Sequence, residues 1–348
     1  MKPVKIWIAT GGTGGHIFPA IAVANELARR GNKIIISSDG RGMPTVRRNA
    51  GFKTAWIWAS GVGAKSKIQQ VWSLIKIAAS AAALTLRFAF ARPARVIAFG
   101  GYASVPVILA AHVWKIPTIL HEQNAAIGRA NAFSLRWVKK LLTSFPTVGG
   151  IPAGFKNTVF TGLPVRDDFT SLLPPKPHKE FNLLITGGSL GAQILDTVMP
   201  DAIKLLKNKK IFITHQTRPE NVARLQKLYS DAGIKNNVLS FIRDMAGEIN
   251  NSDLIIGRSG ASTVVEIQTV GRPAIFVPLA VNPDQLANAE SFAKTGGGIV
   301  IKQPEFTPKR IAGELDDLMA NAKLLEKMRK AAKQPNDATK QIADEVLK

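Results

Sequence analysis

The sequence predicts an α/β protein of two similar halves, each with a parallel β-sheet. At 348 residues, the chain exceeds the roughly 250–300 residues at which a single hydrophobic core stops growing. Apolar runs alternate with helical patterns, as in parallel sheets whose strands are connected by helices. A glycine-rich loop between a strand and a helix occurs twice, at residues 10–16 and 186–192. We therefore expect two domains, 1–163 and 164–348, and the last helix can return to the first domain.

The predicted strands are continuously apolar, which is typical of strands buried on both faces. In the first half they are residues 4–9, 33–37, 95–99, 117–120 and 140–144. In the second half they are residues 181–185, 210–215, 238–242, 253–256, 273–278 and 298–301. The proline-rich stretch 162–177 predicts the domain boundary. Helical periodicity begins at Thr307, breaks near Pro335 and resumes in a last short helix.

Positive charge is concentrated in the first half of the chain. Residues 1–163 hold 21 lysines and arginines against 3 acidic residues, a net charge of +18, whereas residues 164–348 have a net charge of +4. Such a field predicts an anionic partner, with nucleic acid and anionic lipid as the usual candidates. The chain has no cysteine, which excludes disulfides, thiolate catalysis and cysteine-based zinc sites. The first apolar run is shorter than a signal-peptide core, so we expect an intracellular protein.

Residues 68–90 form an alanine-rich apolar segment with helical spacing. Its length approaches that of a membrane span, but Lys76 and Arg87 interrupt it, and each charge near mid-span costs about 2.5–3.5 kcal/mol. Basic residues flank the segment, and Trp72, Phe88 and Phe90 can anchor at an interface. We expect a helix or helical hairpin lying on an anionic membrane surface. The alternative is a helix that packs in the core of an α/β domain.

The two glycine loops suggest a nucleotide-linked substrate, because backbone N–H groups at a helix N-terminus favour anions. His16 follows the first loop and can act as a general base near neutral pH, or as a cap or phosphate contact. Residues 12–17 partly match a dinucleotide fingerprint, with Asp39 as the possible ribose-binding acid. Ile17 stands in place of its third glycine. No Walker-type lysine follows either loop.

Residues 253–266 form the most specific stretch: a buried strand, a turn of small residues and a helix. Helical side chains lean toward the N-terminus, so Glu266 would project back over Ser262 and Thr263. A carboxylate there can accept hydrogen bonds from ribose hydroxyls, while Arg258 and the helix dipole face a diphosphate. The alternative is an ordinary helix with a stabilising carboxylate. Asp284 precedes the next amide-rich helix, where it suits either a sugar hydroxyl or the helix cap.

Eight ordered motifs resemble those of the MurG family, glycosyltransferases of peptidoglycan synthesis. They are residues 11–16, 100–102, 121–124, 162–166, 187–192, 241–245, 258–261 with Glu266, and Gln285 with 288–289. The resemblance covers nearly the whole chain. The sequence departs from the family pattern at residues 215–220, where relatives often have a glycine-containing turn, and at Asp284.

The resemblance implies a GT-B fold, with two Rossmann-like domains whose parallel sheets face each other across a cleft. It implies inverting, metal-independent and cofactor-free transfer of N-acetylglucosamine from UDP-N-acetylglucosamine to the 4-hydroxyl of undecaprenyl-diphospho-N-acetylmuramoyl-pentapeptide. The second half would hold the donor, and the first half would meet the acceptor at the cytoplasmic face of the inner membrane. His16 is the candidate catalytic base. The implied substrate-binding residues are Thr13, Gly14, Gly15, Asn124, Arg166, Ser189, Ile242, Arg258, Ala261, Ser262, Thr263, Val264, Val265, Glu266 and Gln285.

Three alternatives remain at the level of sequence. Another UDP-sugar enzyme of the same fold, such as a UDP-N-acetylglucosamine epimerase or a glycolipid synthase, would share the nucleotide site. A nucleic-acid-binding protein would explain the basic half, but the sequence holds no recognised nucleic-acid motif, and we expect no nucleic-acid partner. The hypothesis of an NAD-dependent oxidoreductase is weakened because Ile17 replaces the third glycine of the dinucleotide fingerprint.

Overall fold

The computed structural model describes residues 3–12, 14–60, 66–175, 177–188 and 191–348. The chain separates into two compact units. The first comprises Met1–Arg166 and Asn336–Lys348, and the second comprises Asp167–Pro335. The chain therefore passes from one unit to the other twice, after Arg166 and again after Pro335.

The described residues of the first unit form a seven-stranded sheet in which all neighbouring strands are parallel. Its strands are β1 Lys5–Ala9, β2 Lys33–Ser38, β3 Lys53–Trp56, β4 Arg95–Ala98, β5 Thr118–Glu122, β6 Lys140–Thr143 and β7 Thr158–Phe160. The spatial order is β3-β2-β1-β4-β5-β6-β7. The direction of strand addition thus reverses between β1 and β4, where open α/β sheets bind their ligands.

Helices cover both faces of this sheet. They are α1 Gly14–Arg29, α2 Met43–Asn49, α3 Lys67–Ala91, α4 Ser104–Val113 and α5 Arg129–Ser134. One apolar cluster joins α1 to one face of the sheet, and a second joins α3 and α4 to the other. Trp7, which is fully buried, packs edge-on against Phe88 with ring centroids 5.0 Å apart.

The second unit repeats the architecture with a six-stranded parallel sheet in its described residues. Its strands are β8 Phe181–Thr186, β9 Ile211–Gln216, β10 Lys235–Leu239, β11 Leu254–Gly257, β12 Ala274–Phe276 and β13 Gly298–Val300. The spatial order β10-β9-β8-β11-β12-β13 places the reversal between β8 and β11. Each unit thus has its own switch point, and each follows its first strand with a glycine loop.

Seven α-helices of the described chain pack around the second sheet. They are α6 Gln193–Leu205, α7 Val222–Asp231, α8 Met245–Asn251, α9 Ala261–Val270, α10 Pro283–Ala293, α11 Pro308–Ala320 and α12 Ala322–Ala332. The last helix, α13 Ala338–Leu347, belongs to the first unit. Its Ile342 and Val346 are fully buried in the α1 cluster, and Lys140 Nζ lies 2.5 Å from Glu345 Oε2.

The predicted α/β class with two parallel sheets is confirmed, and the differences lie in individual elements. The short outer strands β3 and β7 were not predicted from the sequence. The strand predicted at 238–242 was placed too late, since β10 ends at Leu239 and Ile242 lies in the following loop. Residues 235–237 are polar, so an apolar run could not mark the start of this edge strand.

Helix α3 is one continuous helix of 25 residues, so the predicted hairpin alternative is wrong. Ser66 begins it with a capping box that involves Gln69. A narrow stripe of Ser73, Ile77, Ser80, Leu84 and Phe88 is buried.

The other apolar residues in the first turns of α3 face outward. They form the α3 apolar face, namely Ile68, Val71, Trp72, Leu74 and Ile75, which are 47–73% exposed. By length and composition alone the helix is apolar enough to cross a membrane, with 22% of its most apolar window buried in the protein.

Candidate functional site

Each unit brings two loops together at the carboxyl edge of its sheet, on either side of the switch point. In the first unit, Phe99 N donates to Ala9 O at 2.7 Å and joins the loop after β4 to the loop after β1. In the second unit, Arg258 N donates to Thr186 O at 3.2 Å and joins the loops after β11 and β8. Parallel sheets bind ligands at this edge because helix N-termini converge there. Several candidate site residues, among them His16 and Arg258, lie in these loops or in the first turn of the helix that follows.

The first glycine loop is held by Asp39 and packed against the loop after β4. Asp39 Oδ1 accepts hydrogen bonds from Gly12 N at 3.1 Å and Gly42 N at 3.0 Å, and Oδ2 lies 3.2 Å from Arg41 Nη2. A Cβ on Gly11 would lie 2.5 Å from Ala103 Cβ, so this close approach requires glycine. Asp39 is 3% exposed. Its carboxylate anchors the loop, and its interpretation as a ribose-binding acid is wrong.

His16 lies in the first turn of α1 and is half-buried. Its Nδ1 is buried and has no hydrogen-bond partner among the described residues. Burial lowers the pKa of His16 to about 4, and the nearby Asp39 carboxylate partly opposes that shift. The imidazole is therefore neutral near pH 7 and able to accept a proton. A buried polar atom without a hydrogen-bond partner lowers the stability of the fold by about 1–3 kcal/mol. Such an atom is therefore more typical of a residue with a function than of one that only supports the fold.

The neighbouring His121 is fully buried and structural. Its Nδ1 lies 3.1 Å from Gln123 Nε2, and its Nε2 lies 3.0 Å from Gly162 O. Because an amide nitrogen donates and a carbonyl accepts, Nδ1 is the acceptor and Nε2 carries the proton. Burial lowers the pKa of His121 to about 4. His121 thus connects β5 to Gly162, close to the point where the chain first leaves this unit.

Glu122 organises the loop that carries Asn124. Its carboxylate accepts hydrogen bonds from Asn124 N at 2.9 Å, Gly128 N at 2.9 Å and Asn131 Nδ2 at 2.8 Å. Burial raises the pKa of Glu122, although these hydrogen bonds oppose the shift. This role of Glu122 was not predicted from the sequence. Its place at the end of a buried strand, directly before Asn124, was the available signal.

In the second unit, the glycine loop is fixed from β8. Gly188 N donates to Thr186 Oγ1 at 3.2 Å, and Thr186 Oγ1 donates in turn to Gln216 Oε1 at 2.8 Å. Helix α6 follows with Ala192 at its N-cap, where no side chain bonds the first N–H groups. Those groups are suited to an anion.

Helix α9 offers a second anion site in the same unit. Gly260 occupies its N-cap without a capping side chain. Ala261, Val264 and Val265 are buried, so within the implied run 261–266 their side chains serve the core and they can reach a ligand only through the backbone. Ser262, Thr263 and Glu266 are partly accessible. The run therefore combines free N–H groups with two hydroxyls and one carboxylate.

Gln285 holds the loop beside α9. Its Oε1 accepts from Leu279 N at 2.9 Å, while its backbone carbonyl accepts from Ser259 Oγ at 2.7 Å. Asn288 Nδ2 donates to Ser259 O at 3.1 Å. Gln285 thereby connects the loop after β12 to the turn that precedes α9. Asn282, not Asp284, caps α10, since its side chain accepts from Asp284 N. The capping interpretation of Asp284 is wrong.

Arg258 is held on the opposite side of the Ser259 turn. Its Nη1 donates to Val277 O at 2.8 Å, and its Nη2 donates to Gln303 Oε1 at 3.1 Å. Burial lowers the pKa of Arg258, which nevertheless remains a cation. Two of its five N–H donors are thus used to fix the guanidinium in place.

The other implied residues are distributed between the units. Gly14 and Gly15 begin α1, and Arg166 is exposed at the end of the first unit. Ile242 is 5% exposed, so only its backbone can meet a ligand. Thr13 and Ser189 lie outside the described residues. Within the described ranges, no three His, Asp or Glu side chains are grouped to hold a metal ion.

The comparisons with known proteins cover the whole chain. Residues 6–143 match the glycosyltransferase family 28 N-terminal domain, and residues 182–344 match its C-terminal domain. The chain is 38% identical to "UDP-N-acetylglucosamine--N-acetylmuramyl-(pentapeptide) pyrophosphoryl-undecaprenol N-acetylglucosamine transferase" of Rhodospirillum rubrum, over 98% of this chain and 91% of the relative. It is 39% identical to the same-named protein of Granulibacter bethesdensis, over 98% and 92%. The crystal structure of Acinetobacter baumannii MurG superposes with a TM-score of 0.83 at 32% identity, covering 99% of both chains. This chain belongs to the MurG family.

Membership of the MurG family confirms the resemblance drawn from the ordered motifs and the GT-B fold that it implied. A UDP-GlcNAc 2-epimerase from Neisseria meningitidis has a TM-score of 0.69 at 14% identity, which shows a shared fold alone. The two glycine loops and the α9 turn of this MurG family member are therefore parts of a glycosyltransferase.

Proposed function

We propose that the protein transfers N-acetylglucosamine from UDP-N-acetylglucosamine to undecaprenyl-diphospho-N-acetylmuramoyl-pentapeptide in cell-wall synthesis. The observation that carries this proposal is the identity of 38% over 98% of the chain with a transferase so named. The site chemistry agrees with it, because the N-termini of α6 and α9, which have no capping side chain, suit the diphosphate of the sugar nucleotide.

The second unit supplies the donor site in this proposal. N–H groups at the start of α9 bind the diphosphate, Glu266 accepts from the ribose hydroxyls, and the backbone of Ile242 meets the uracil. Gln285 donates its amide to the sugar. Four residues of the first unit are also proposed to bind substrate: Gly14, Gly15, Asn124 and Arg166. The same role is proposed for Thr13 of the first unit and Ser189 of the second.

The proposed reaction inverts the anomeric centre and needs no metal. The acceptor's 4-hydroxyl oxygen attacks the anomeric carbon, its proton passes to His16, and the bond from that carbon to the diphosphate oxygen breaks. UDP leaves with the bonding electron pair. The developing negative charge is stabilised by the α9 N–H groups and by Arg258.

Mass spectrometry of the products of UDP-N-acetylglucosamine and a short-chain acceptor analogue, in the presence of EDTA, tests this function. We expect the acceptor to gain one N-acetylglucosamine. Formation of an epimer of the sugar nucleotide without acceptor would instead support the epimerase alternative. Product that appears only after magnesium is added would contradict metal independence.

We also propose that the α3 apolar face binds the cytoplasmic face of the inner membrane, where the lipid acceptor lies. Its five apolar residues are exposed, and Lys67, Lys76, Arg87 and Arg92 are distributed along the same helix or follow it directly. Leu84 and Phe88 of α3 belong to the core of the first unit. Because crossing the bilayer would remove them from that core, binding at the surface is favoured over spanning.

Vesicle sedimentation checks this surface. We expect the protein to bind phosphatidylglycerol vesicles and not phosphatidylcholine vesicles, with binding weakened by salt. Replacing Ile68, Trp72 and Ile75 with serine should reduce binding at least tenfold, since each buried methylene contributes about 0.8 kcal/mol.

The matched control replaces Leu173, Leu205 and Leu324 with serine, because these are exposed leucines of the second unit. Equal loss of vesicle binding in both triple variants would show that exposed apolar residues bind vesicles wherever they lie. That result would contradict the assignment to α3.

A further inference from the structure

Gly191, at the end of the second glycine loop, lies against the loop that follows β9. A Cβ on Gly191 would lie 2.9 Å from Arg218 Cγ and 3.5 Å from Arg218 Nε. The φ of Gly191 is +68°, a conformation that glycine adopts without strain. The missing side chain therefore makes room for the stem of Arg218, which is an exposed residue. A cation thus lies against the glycine loop, within the stretch 215–220 where the sequence departs from its family.

A buried polar cluster fixes the loop that carries Arg218. Asp196 in the first turn of α6 accepts from Thr217 Oγ1 at 2.7 Å and from Asn221 Nδ2 at 2.9 Å, on either side of Arg218. Its other oxygen lies 3.2 Å from His215 Nε2. Asp196, His215 and Thr217 are at most 2% exposed. Asp196 thereby connects the loop after β9 to α6, the helix that follows the second glycine loop.

The protonation states of the residues in this cluster follow from their burial and their hydrogen bonds. Burial raises the pKa of Tyr229, so its hydroxyl stays protonated and donates to His215 Nδ1 at 2.8 Å. Burial also lowers the pKa of His215, which is then neutral with its proton on Nε2, toward Asp196. Burial would raise the pKa of Asp196, but the His215 ring 3.2 Å away and the hydrogen bond from Thr217 outweigh this effect, so the pKa is lowered. Arg224 Nη2 lies 3.4 Å from the Asp196 carbonyl.

We propose that Arg218 binds the diphosphate of the sugar nucleotide, and that Thr217 positions it through Asp196. This inference rests on the proposed function and adds a residue to its donor site. A guanidinium can bind two phosphate oxygens at once and carries a full positive charge, whereas a helix N-terminus carries about half a charge. Arg218 would also stabilise the charge that develops on the departing diphosphate.

Binding of UDP and of uridine to the full chain tests the role of Arg218, since only UDP has a diphosphate. We expect Arg218→Gln to weaken UDP about tenfold, the size of a charge-assisted hydrogen bond, and to leave uridine unchanged. Arg218→Lys should recover part of the loss. Lys227→Gln is the matched control, because Lys227 is an exposed cation of α7 paired with Asp231 at 3.0 Å.

A double-mutant cycle tests the positioning role of Thr217. Thr217→Val removes the hydroxyl that reaches Asp196 while keeping the shape of the side chain. We expect it to weaken UDP several-fold in the wild-type background and to have little effect in Arg218→Gln, because both changes remove one contact. A purely structural role would cost the same in both backgrounds.

Three results would overturn these assignments. An Arg218→Gln variant that weakens UDP and uridine equally, or neither, overturns the diphosphate contact. A full Thr217→Val effect in the Arg218→Gln background overturns the positioning role. A folded wild-type protein that binds neither UDP nor uridine contradicts the proposed function itself, and this inference with it.

Discussion

Replacing His16 with alanine should lower kcat by about a hundredfold to ten-thousandfold, the usual contribution of a general base. The KM for UDP-N-acetylglucosamine should change little, since the proposed role of His16 is to accept a proton from the acceptor. Steady-state kinetics with both substrates measures the two effects separately. His112→Ala is the matched control, because His112 is an exposed histidine of the same unit.

The pH dependence of the wild-type enzyme gives a second measurement of His16. Its pKa of about 4 means that the free enzyme already holds it neutral at mildly acid pH. We therefore expect kcat/KM to stay level from about pH 8 down to about pH 5.5 and to fall only below that. An acid limb near the ordinary histidine pKa of about 6.5 would show that the site does not lower the pKa of His16, whereas unchanged kcat in His16→Ala would remove His16 from the role of general base.

Replacing Glu266 with alanine should weaken UDP binding about tenfold to a hundredfold and change kcat less. The reason is the loss of charge-assisted hydrogen bonds to the ribose, which contribute about 1.5–3 kcal/mol. Isothermal titration calorimetry with UDP measures this loss. Glu290→Ala is the matched control, since Glu290 is an exposed carboxylate on neighbouring α10.

The ribose contact itself is tested with 2′-deoxy-UDP. Wild-type protein should bind it more weakly than UDP, whereas Glu266→Ala should bind the two nucleotides almost equally, because the carboxylate that reads the hydroxyl is gone. A variant that still prefers UDP by the wild-type ratio would show that Glu266 acts elsewhere.

The strands nearest each switch point could be predicted from sequence because they are buried on both faces. Residues 95–99 and 181–185, for example, lie within one residue of β4 and β8 at each end. The outer strands were harder to predict. Lys53–Trp56 and Thr158–Phe160 have exposed residues and gain their hydrogen bonds from a neighbour that the local sequence does not specify.

Candidate site residues could be proposed from sequence where a loop's own residues carry the chemistry, as at residues 11–16 and 258–266, and their roles stay predictions. Contacts between side chains that are distant in sequence were missed. Asp39 follows a strand in the manner of a ribose-binding acid, yet it bonds Gly12 and Gly42. Arg218 lies against Gly191, in a loop that Asp196 holds through Thr217. Periodicity and motif spacing do not report such contacts.

The return of α13 to the first unit has a consequence for biosynthesis. The residues of the second unit are contiguous, so a ribosome completes them while the C-terminal helix is still unmade. The first unit, although translated first, lacks Ile342, Ala343 and Val346 until the last residues emerge. We infer that the later-translated half can mature earlier, and that a nascent chain cut short before Asn336 leaves α1 with an uncovered apolar surface that quality-control proteases can recognise.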